Sequence, residues 1–129
     1  MLENIDLFSF LPKDSLAQLE IFCQERFLNT GEVLFSKGED STGMYIVKTG
    51  KLEVYDENKI YGYINPGDFV GEMALFSLDK KRTASVKAVE QTSIIVLLDF
   101  AIKELGQKHP EILLQIQDII QKRETINKY

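Results

Sequence analysis

The sequence predicts a mainly β domain: a jelly-roll-like β-roll (double-stranded β-helix) with one helix before it and two helices after it. Between Arg26 and Leu98, short apolar runs alternate with turns rich in Gly, Asn and Asp, a pattern typical of all-β folds. On both sides of this stretch, apolar residues recur at helical spacing. A chain of 129 residues, 44% of them hydrophobic, has the size of one domain with its own core. We therefore expect residues 1–129 to form a single unit.

The first predicted element is a helix over residues 12–24. Pro12 suits a first helical turn, and the carboxylate of Asp14 suits the positive end of the helix dipole. Apolar residues then follow at intervals of three and four positions: Leu16, Leu19, Phe22 and Cys23. Because Cys23 lies on this apolar stripe, we expect it in the core and not at a reactive site.

Seven strand candidates make up the β-roll of residues 26–98. They cover residues 26–28, 32–36, 44–48, 51–55, 60–64, 83–88 and 92–98. Turn signals separate them, such as Asn29-Thr30-Gly31, Thr49-Gly50 and Asn65-Pro66-Gly67-Asp68. Many short strands joined by regular turns indicate a barrel or a sandwich.

After Leu98 the spacing becomes helical again, and we expect two helices over residues 99–128. Asp99 can cap the first helix, and Pro110 can begin the second. The second helix carries two overlapping apolar rows, wider than one docking face requires. The rows are Ile112, Ile116, Ile119 and Ile126, and then Leu113, Ile120 and Asn127 at seven-residue spacing. Helix 110–128 is therefore a candidate surface for a homodimer or a partner protein.

Charge and composition argue against several classes of protein. The net charge is −5, whereas nucleic-acid-binding domains carry basic surfaces, so we expect no DNA binding by this chain. The longest apolar run, residues 94–98, is far too short for a membrane span, and the N-terminus lacks the features of a secretory signal. Cys23 is the single cysteine, which excludes an internal disulfide and fits a cytoplasmic location.

Catalytic and metal-binding motifs are missing from the sequence. It has no G-x-S-x-G, C-x-x-C, H-E-x-x-H or P-loop pattern. The single histidine, His109, lies between the two C-terminal helices and outside the predicted β-roll, which argues against a cupin-like metal site. We therefore expect neither an enzyme nor a metalloprotein.

One segment, residues 67–86, interrupts the strand pattern. Gly71 allows a sharp turn, and residues 72–76 look like one helical turn whose N-terminus would offer unpaired N–H groups to an anion. Arg82 follows Glu72 by ten positions, and a guanidinium can bind two phosphate oxygens at once. The two side chains could hold a ligand with hydroxyl and anionic groups. The alternative, from these residues alone, is a structural ion pair that closes a loop.

The segment resembles the phosphate-binding cassette of cyclic nucleotide-binding domains. These domains occur in cAMP receptor transcription factors, cyclic-nucleotide-dependent protein kinases and cyclic-nucleotide-gated channels. The resemblance rests on Gly71-Glu72-Met73-Ala74-Leu75 followed by Arg82-Thr83-Ala84-Ser85-Val86. It extends over nearly the whole chain, including the turn glycines Gly38, Gly50 and Gly67 and the two C-terminal helices. The Lys-rich loop before Arg82 departs from the family, because it lacks the Pro or Gly often found there.

The resemblance implies a role for each residue of the cassette. Arg82 would bind the cyclic phosphate, and Glu72 would accept a hydrogen bond from the ribose 2′-hydroxyl. The remaining ligand-binding residues would surround them, largely through backbone N–H groups: Gly71, Met73, Ala74, Thr83 and Ala84. No other cofactor is implied. The chain would be a non-catalytic sensor of a cyclic nucleotide.

The resemblance also favours cAMP, because the cassette length and the C-terminal helices are most similar to those of the bacterial receptors. Thr83 leaves cGMP open, since a Thr at this place reaches the guanine amino group in cGMP-selective members. In the bacterial receptors the last helix closes over the base, so Arg123 and Asn127 are candidate lid residues. Two alternatives stay open: a ligand-free interaction module of the same fold, and a fragment of a cAMP-receptor-like transcription factor, whose DNA-binding domain would lie beyond Tyr129.

Overall fold

The computed structural model describes residues 2, 5, 8, 9, 11–71 and 81–126, without the side chains of residues 119, 120 and 123–126. Within these residues the chain forms helices α1 (Lys13–Glu20), α2 (Asp99–Lys108) and α3 (Pro110–Ile126). The strands are β1 (Cys23–Leu28), β2 (Val33–Phe35), β3 (Gly43–Thr49), β4 (Leu52–Asp56), β5 (Lys59–Ile64), β6 (Phe69–Val70), β7 (Ser85–Ala88) and β8 (Thr92–Leu98). The predicted mainly β fold with flanking helices is confirmed. Among the described helices, none combines the length and apolar character that a membrane span requires.

The strands pair into two four-stranded antiparallel sheets. Sheet A has the order β1-β8-β3-β6, and sheet B has the order β2-β7-β4-β5. Strand β8 pairs with β1 on one side and with β3 on the other, where Leu98 lies opposite Gly43. The chain therefore enters α2 beside the start of β3, and the Asp99 N–H donates to the carbonyl of Thr42 at 2.9 Å.

The central strands of sheet A, β8 and β3, are largely buried on both faces, whereas β1 is mostly exposed. Successive residues of a strand point to opposite faces, so Ile94 joins the cluster between the two sheets and Ile95 joins the cluster beneath the helices. Both side chains are fully buried. Helix α3 contributes Ile112 and Ile116 to the helix-side cluster. Sheet A thus lies between the interior of the β-roll and the C-terminal helices.

Two elements differ from the sequence-based expectation. The predicted helix 12–24 is too long, because α1 ends at Glu20 and β1 begins at Cys23. Cys23 to Leu28 pair residue by residue with β8, and this pairing outweighs the helical spacing of Phe22 and Cys23. Strand β6 was not predicted, since two residues are too few to show alternation; Phe69 and Val70 pair with Ile46 and Tyr45.

Candidate functional site

The backbone of Arg82 is fixed to the connection between β2 and β3. Its N–H donates to the carbonyl of Glu39 at 2.8 Å, and its carbonyl accepts from the Gly38 N–H at 2.9 Å. The preceding residue, Lys81, forms an isolated bridge and an ion pair with Asp40. The chain therefore enters β7 from a fixed position, which sets the direction of the Arg82 side chain.

The guanidinium of Arg82 lies inside the β-roll. The residue is only 4% exposed, although it follows a lysine whose side chain reaches solvent. Nη1 donates to the carbonyl of Gly71 at 3.1 Å. Cζ lies 4.1 Å from the ring centroid of Phe35 and 5.5 Å from that of Tyr45. The sequence segments around Gly71 and Arg82, eleven positions apart, therefore meet at one point.

Gly71 is required where it contacts Arg82. Its φ is +91°, a conformation that residues with a Cβ rarely adopt. A Cβ at this position would lie 2.7 Å from Nη1 of Arg82 and 3.4 Å from the carbonyl oxygen of Gly43. The absence of a side chain lets the backbone after β6 approach the guanidinium.

The surroundings of Arg82 leave its charge under-compensated. Desolvation by burial lowers the pKa of Arg82, while the Tyr45 phenol and the more distant carboxylates of Asp99 and Glu39 oppose that shift. An arginine is so strongly basic that it stays charged at neutral pH. Within the described residues, Nε of Arg82 and Oδ1 of Asp99 are buried without a hydrogen-bond partner. Such atoms are uncommon, and an anion would satisfy Nε.

The structure brings together some of the predicted site residues. Gly71 and Arg82 are in contact, and Ala84 is 5% exposed within the cluster between the sheets. Thr83, which lies between Arg82 and Ala84 in the sequence, is exposed. Glu72, Met73 and Ala74 lie outside the described residues, as do Asn127 and the side chain of Arg123. Their predicted roles stay predictions.

Sequence reasoning missed three residues beside Arg82. Phe35 and Tyr45 read as ordinary core positions of strands, because aromatic residues are common there. Asp99 read as a helix cap, but no side-chain hydrogen bond caps α2. No spacing rule links these residues to Arg82, since they come from three different elements. Within the described ranges, no cluster of His, Cys, Asp and Glu could hold a metal ion.

Comparison with known proteins adds an independent finding. The family model of the cyclic nucleotide-binding domain matches residues 25–109. A candidate potassium channel protein of Rhodopseudomonas palustris is 32% identical over 126 residues, which cover 95% of this chain and 30% of that protein. The chain thus spans less than a third of this relative's length.

Solved structures show the same fold. The cAMP-bound structure of PfPKA-R matches with a TM-score of 0.83 at 22% identity, covering 96% of this chain and 44% of that one. A chain described with a cyclic-GMP-dependent signalling pathway of bacterial phytopathogenesis matches with a TM-score of 0.73 at 25% identity. That match covers 92% of this chain and 98% of the other.

Gly71→Ala should destabilise the protein more than Gly67→Ala does. Both glycines have φ +91°, so both variants carry the same backbone strain of about 1–2 kcal/mol. A Cβ on Gly67 meets nothing within 4 Å, whereas a Cβ on Gly71 displaces the buried guanidinium. Losing that charged hydrogen bond should lower the free energy of unfolding by a further ~1.5–3 kcal/mol, measured by urea denaturation. Equal losses in the two variants would contradict the close contact at Gly71.

Proposed function

Because the chain belongs to the cyclic nucleotide-binding domain family, we propose that it binds one cyclic nucleotide and acts as a non-catalytic sensor module. In this proposal Arg82 anchors the cyclic phosphate. One observation supports this role most strongly. The guanidinium of Arg82 is buried, and its Nε–H has no hydrogen-bond partner in the described part of the chain. A phosphate would supply both the missing counter-charge and the missing acceptor.

The rest of the proposed site follows from the resemblance of the cassette. Glu72 accepts a hydrogen bond from the ribose 2′-hydroxyl. Neighbouring residues complete the cradle, mainly through backbone N–H groups: Gly71, Met73, Ala74, Thr83 and Ala84. The contact between Gly71 and Arg82 supports this arrangement, because it brings together the first residues of the two cassette motifs.

We propose cAMP as the preferred ligand, with cGMP as the alternative. The resemblance of the cassette and the C-terminal helices to those of bacterial cAMP receptors favours cAMP. The similar PfPKA-R structure is described as cAMP-bound, whereas the similar phytopathogenesis chain is described with cyclic-GMP signalling. Thr83 is compatible with either base, since its hydroxyl can approach a phosphate or a guanine amino group.

The proposed output is the position of the last helix. Ile112 and Ile116 are buried in the helix-side cluster, whereas Leu114 is 65% exposed, so α3 offers an apolar side chain away from its own core. A homodimer or a partner protein contacting residues 110–128 would sense the helix as Arg123 and Asn127 close over the base. Coupling of this kind is reciprocal: the partner tightens nucleotide binding by the same factor. We place the module in the cytoplasm, which its single cysteine allows.

Arg82→Leu should weaken nucleotide binding roughly 30- to 3,000-fold. Removing one partner of a buried charged contact typically costs about 2–5 kcal/mol, at 1.4 kcal/mol per decade of affinity. Isothermal titration with cAMP, and separately with cGMP, measures the change. Arg82→Lys should also bind weakly, because a lysine keeps the charge but loses bidentate geometry.

Arg26→Leu is the matched control for that titration. Arg26 is a surface arginine whose side chain is 48% exposed and lies 3.6 Å from Glu32. Its loss changes net charge equally, yet it should leave affinity nearly unchanged. If Arg82→Leu binds as tightly as the wild type, Arg82 is not in the site. If the wild type binds neither nucleotide, the ligand-free alternative holds.

Removing the ribose 2′-hydroxyl should reduce affinity at least about tenfold. A hydrogen bond to a charged group is worth about 1.5–3 kcal/mol, and the proposed acceptor is the Glu72 carboxylate. Competition of 2′-deoxy-cAMP against labelled cAMP measures this directly. In Glu72→Gln the two ligands should differ much less. Tight binding of the deoxy analogue to the wild type would remove Glu72 from this role.

Nucleotide binding should slow hydrogen exchange in α3. If this helix closes over the base, residues 110–126 gain protection together with residues 71–74. Mass spectrometry with and without saturating cAMP gives both signals in one experiment, and α1 serves as an internal reference. If residues 71–74 become protected while α3 does not change, the helix is a structural support and the lid is refuted.

A further inference from the structure

The buried guanidinium of Arg82 needs contacts that stabilise its positive charge. A guanidinium that is 4% exposed loses most of its hydration, and buried charges normally need a paired opposite charge. Yet within the described residues, no carboxylate forms an ion pair with Arg82, and Nη1 is bound to a neutral carbonyl. The carboxylates of Asp99 and Glu39 favour the cation without pairing with it, so other contacts among the described residues must contribute to its stabilisation.

Two aromatic rings occupy the space beside the guanidinium. Phe35 ends β2 and Tyr45 lies in β3, and their rings stack at 5.9 Å with an angle of 28° between the planes. Cζ of Arg82 lies over both rings, 4.1 Å from the Phe35 centroid and 5.5 Å from the Tyr45 centroid. We call Phe35 and Tyr45 the aromatic pair.

The aromatic pair stabilises charge in a way that leaves hydrogen-bond donors available. A ring face attracts a cation through its quadrupole, and the effect is strongest where water is excluded. A carboxylate would instead occupy the N–H groups that a phosphate needs. The guanidinium can therefore rest on Phe35 while its buried Nε–H has no partner among the described residues.

We propose that Phe35 and Tyr45 are positioning residues that hold Arg82 ready for the phosphate. This inference rests on the proposed function. Gly71 holds Nη1, the aromatic pair lies against the guanidinium, and Nε remains for the ligand. Because the guanidinium is held before binding, little side-chain freedom is lost when the nucleotide arrives, and affinity rises accordingly.

The packing of the aromatic pair supports a fixed position. Phe35 is 6% exposed and Tyr45 is 9% exposed, and both belong to the cluster between the sheets. Tyr45 also pairs with Val70 of β6, one residue before Gly71. The Tyr45 ring and the Gly71 carbonyl thus belong to adjacent, hydrogen-bonded segments. This pairing holds the two groups at fixed positions relative to each other.

Phe35→Leu should weaken cAMP binding about tenfold or more, equivalent to about 1.4 kcal/mol. Leucine keeps an apolar side chain but has no ring face for the cation. Phe35→Tyr keeps the ring and should bind within about threefold of the wild type. Phe8→Leu is the control, since Phe8 is 1% exposed and belongs to the helix-side cluster. It loses a buried ring without touching Arg82.

A nucleotide-free readout tests the positioning separately. The guanidinium lies over the Phe35 ring, so ring current should shift its proton resonances in the NMR spectrum of the wild type. Phe35→Leu should reduce that shift strongly, because only the more distant Tyr45 ring then remains, and Phe8→Leu should preserve it. Absence of the shift from the wild type overturns the inference, even if cAMP binds. So does a Phe35→Leu variant that binds as tightly as Phe8→Leu. A wild type that shows the shift but binds no nucleotide overturns the proposed function and leaves the aromatic contact standing.

Discussion

The site depends on one constraint: a guanidinium is held away from water before its ligand is present. Desolvation is costly for any charged group, so the protein must offset it with contacts that a phosphate does not have to displace. The Gly71 carbonyl and the aromatic pair, Phe35 and Tyr45, provide such contacts. Nε has no hydrogen-bond partner in the part of the chain that the structure describes, and in the proposed site a phosphate supplies one.

The fold supplies each of these contacts from a different element. The connection between β2 and β3 fixes the backbone of Arg82, and β6 delivers Gly71 to its side chain. On its outer face, sheet A carries the helix-side cluster in which Ile112 of α3 is fully buried. Because one sheet forms part of both environments, a change at the site can reach the helix through a single layer of strands. This arrangement makes α3 a reasonable place for the proposed output.

Much of this architecture could be predicted from the sequence. Turn signals and alternation predicted the β-roll, and the motifs that begin at Gly71 and Arg82 predicted a phosphate-binding cassette, whose residue roles stay predictions. The boundary of α1 was misplaced, since the spacing of Phe22 and Cys23 is helical, while the partner of Cys23 in β8, Leu97, is distant in sequence. The aromatic pair was missed for a related reason. Phe35 has the pattern of any core residue, and only the pairing of β2 with β7 brings it near Arg82.

A crystal structure of the complex with cAMP tests most directly whether Nε of Arg82 binds the phosphate. We expect a phosphate oxygen within roughly 3.2 Å of Nε of Arg82. We also expect that Nη1 keeps its hydrogen bond to Gly71 and that Cζ keeps its place over Phe35. A nucleotide bound with its phosphate away from Arg82, or an Arg82 side chain that leaves the aromatic pair to reach it, would contradict the account.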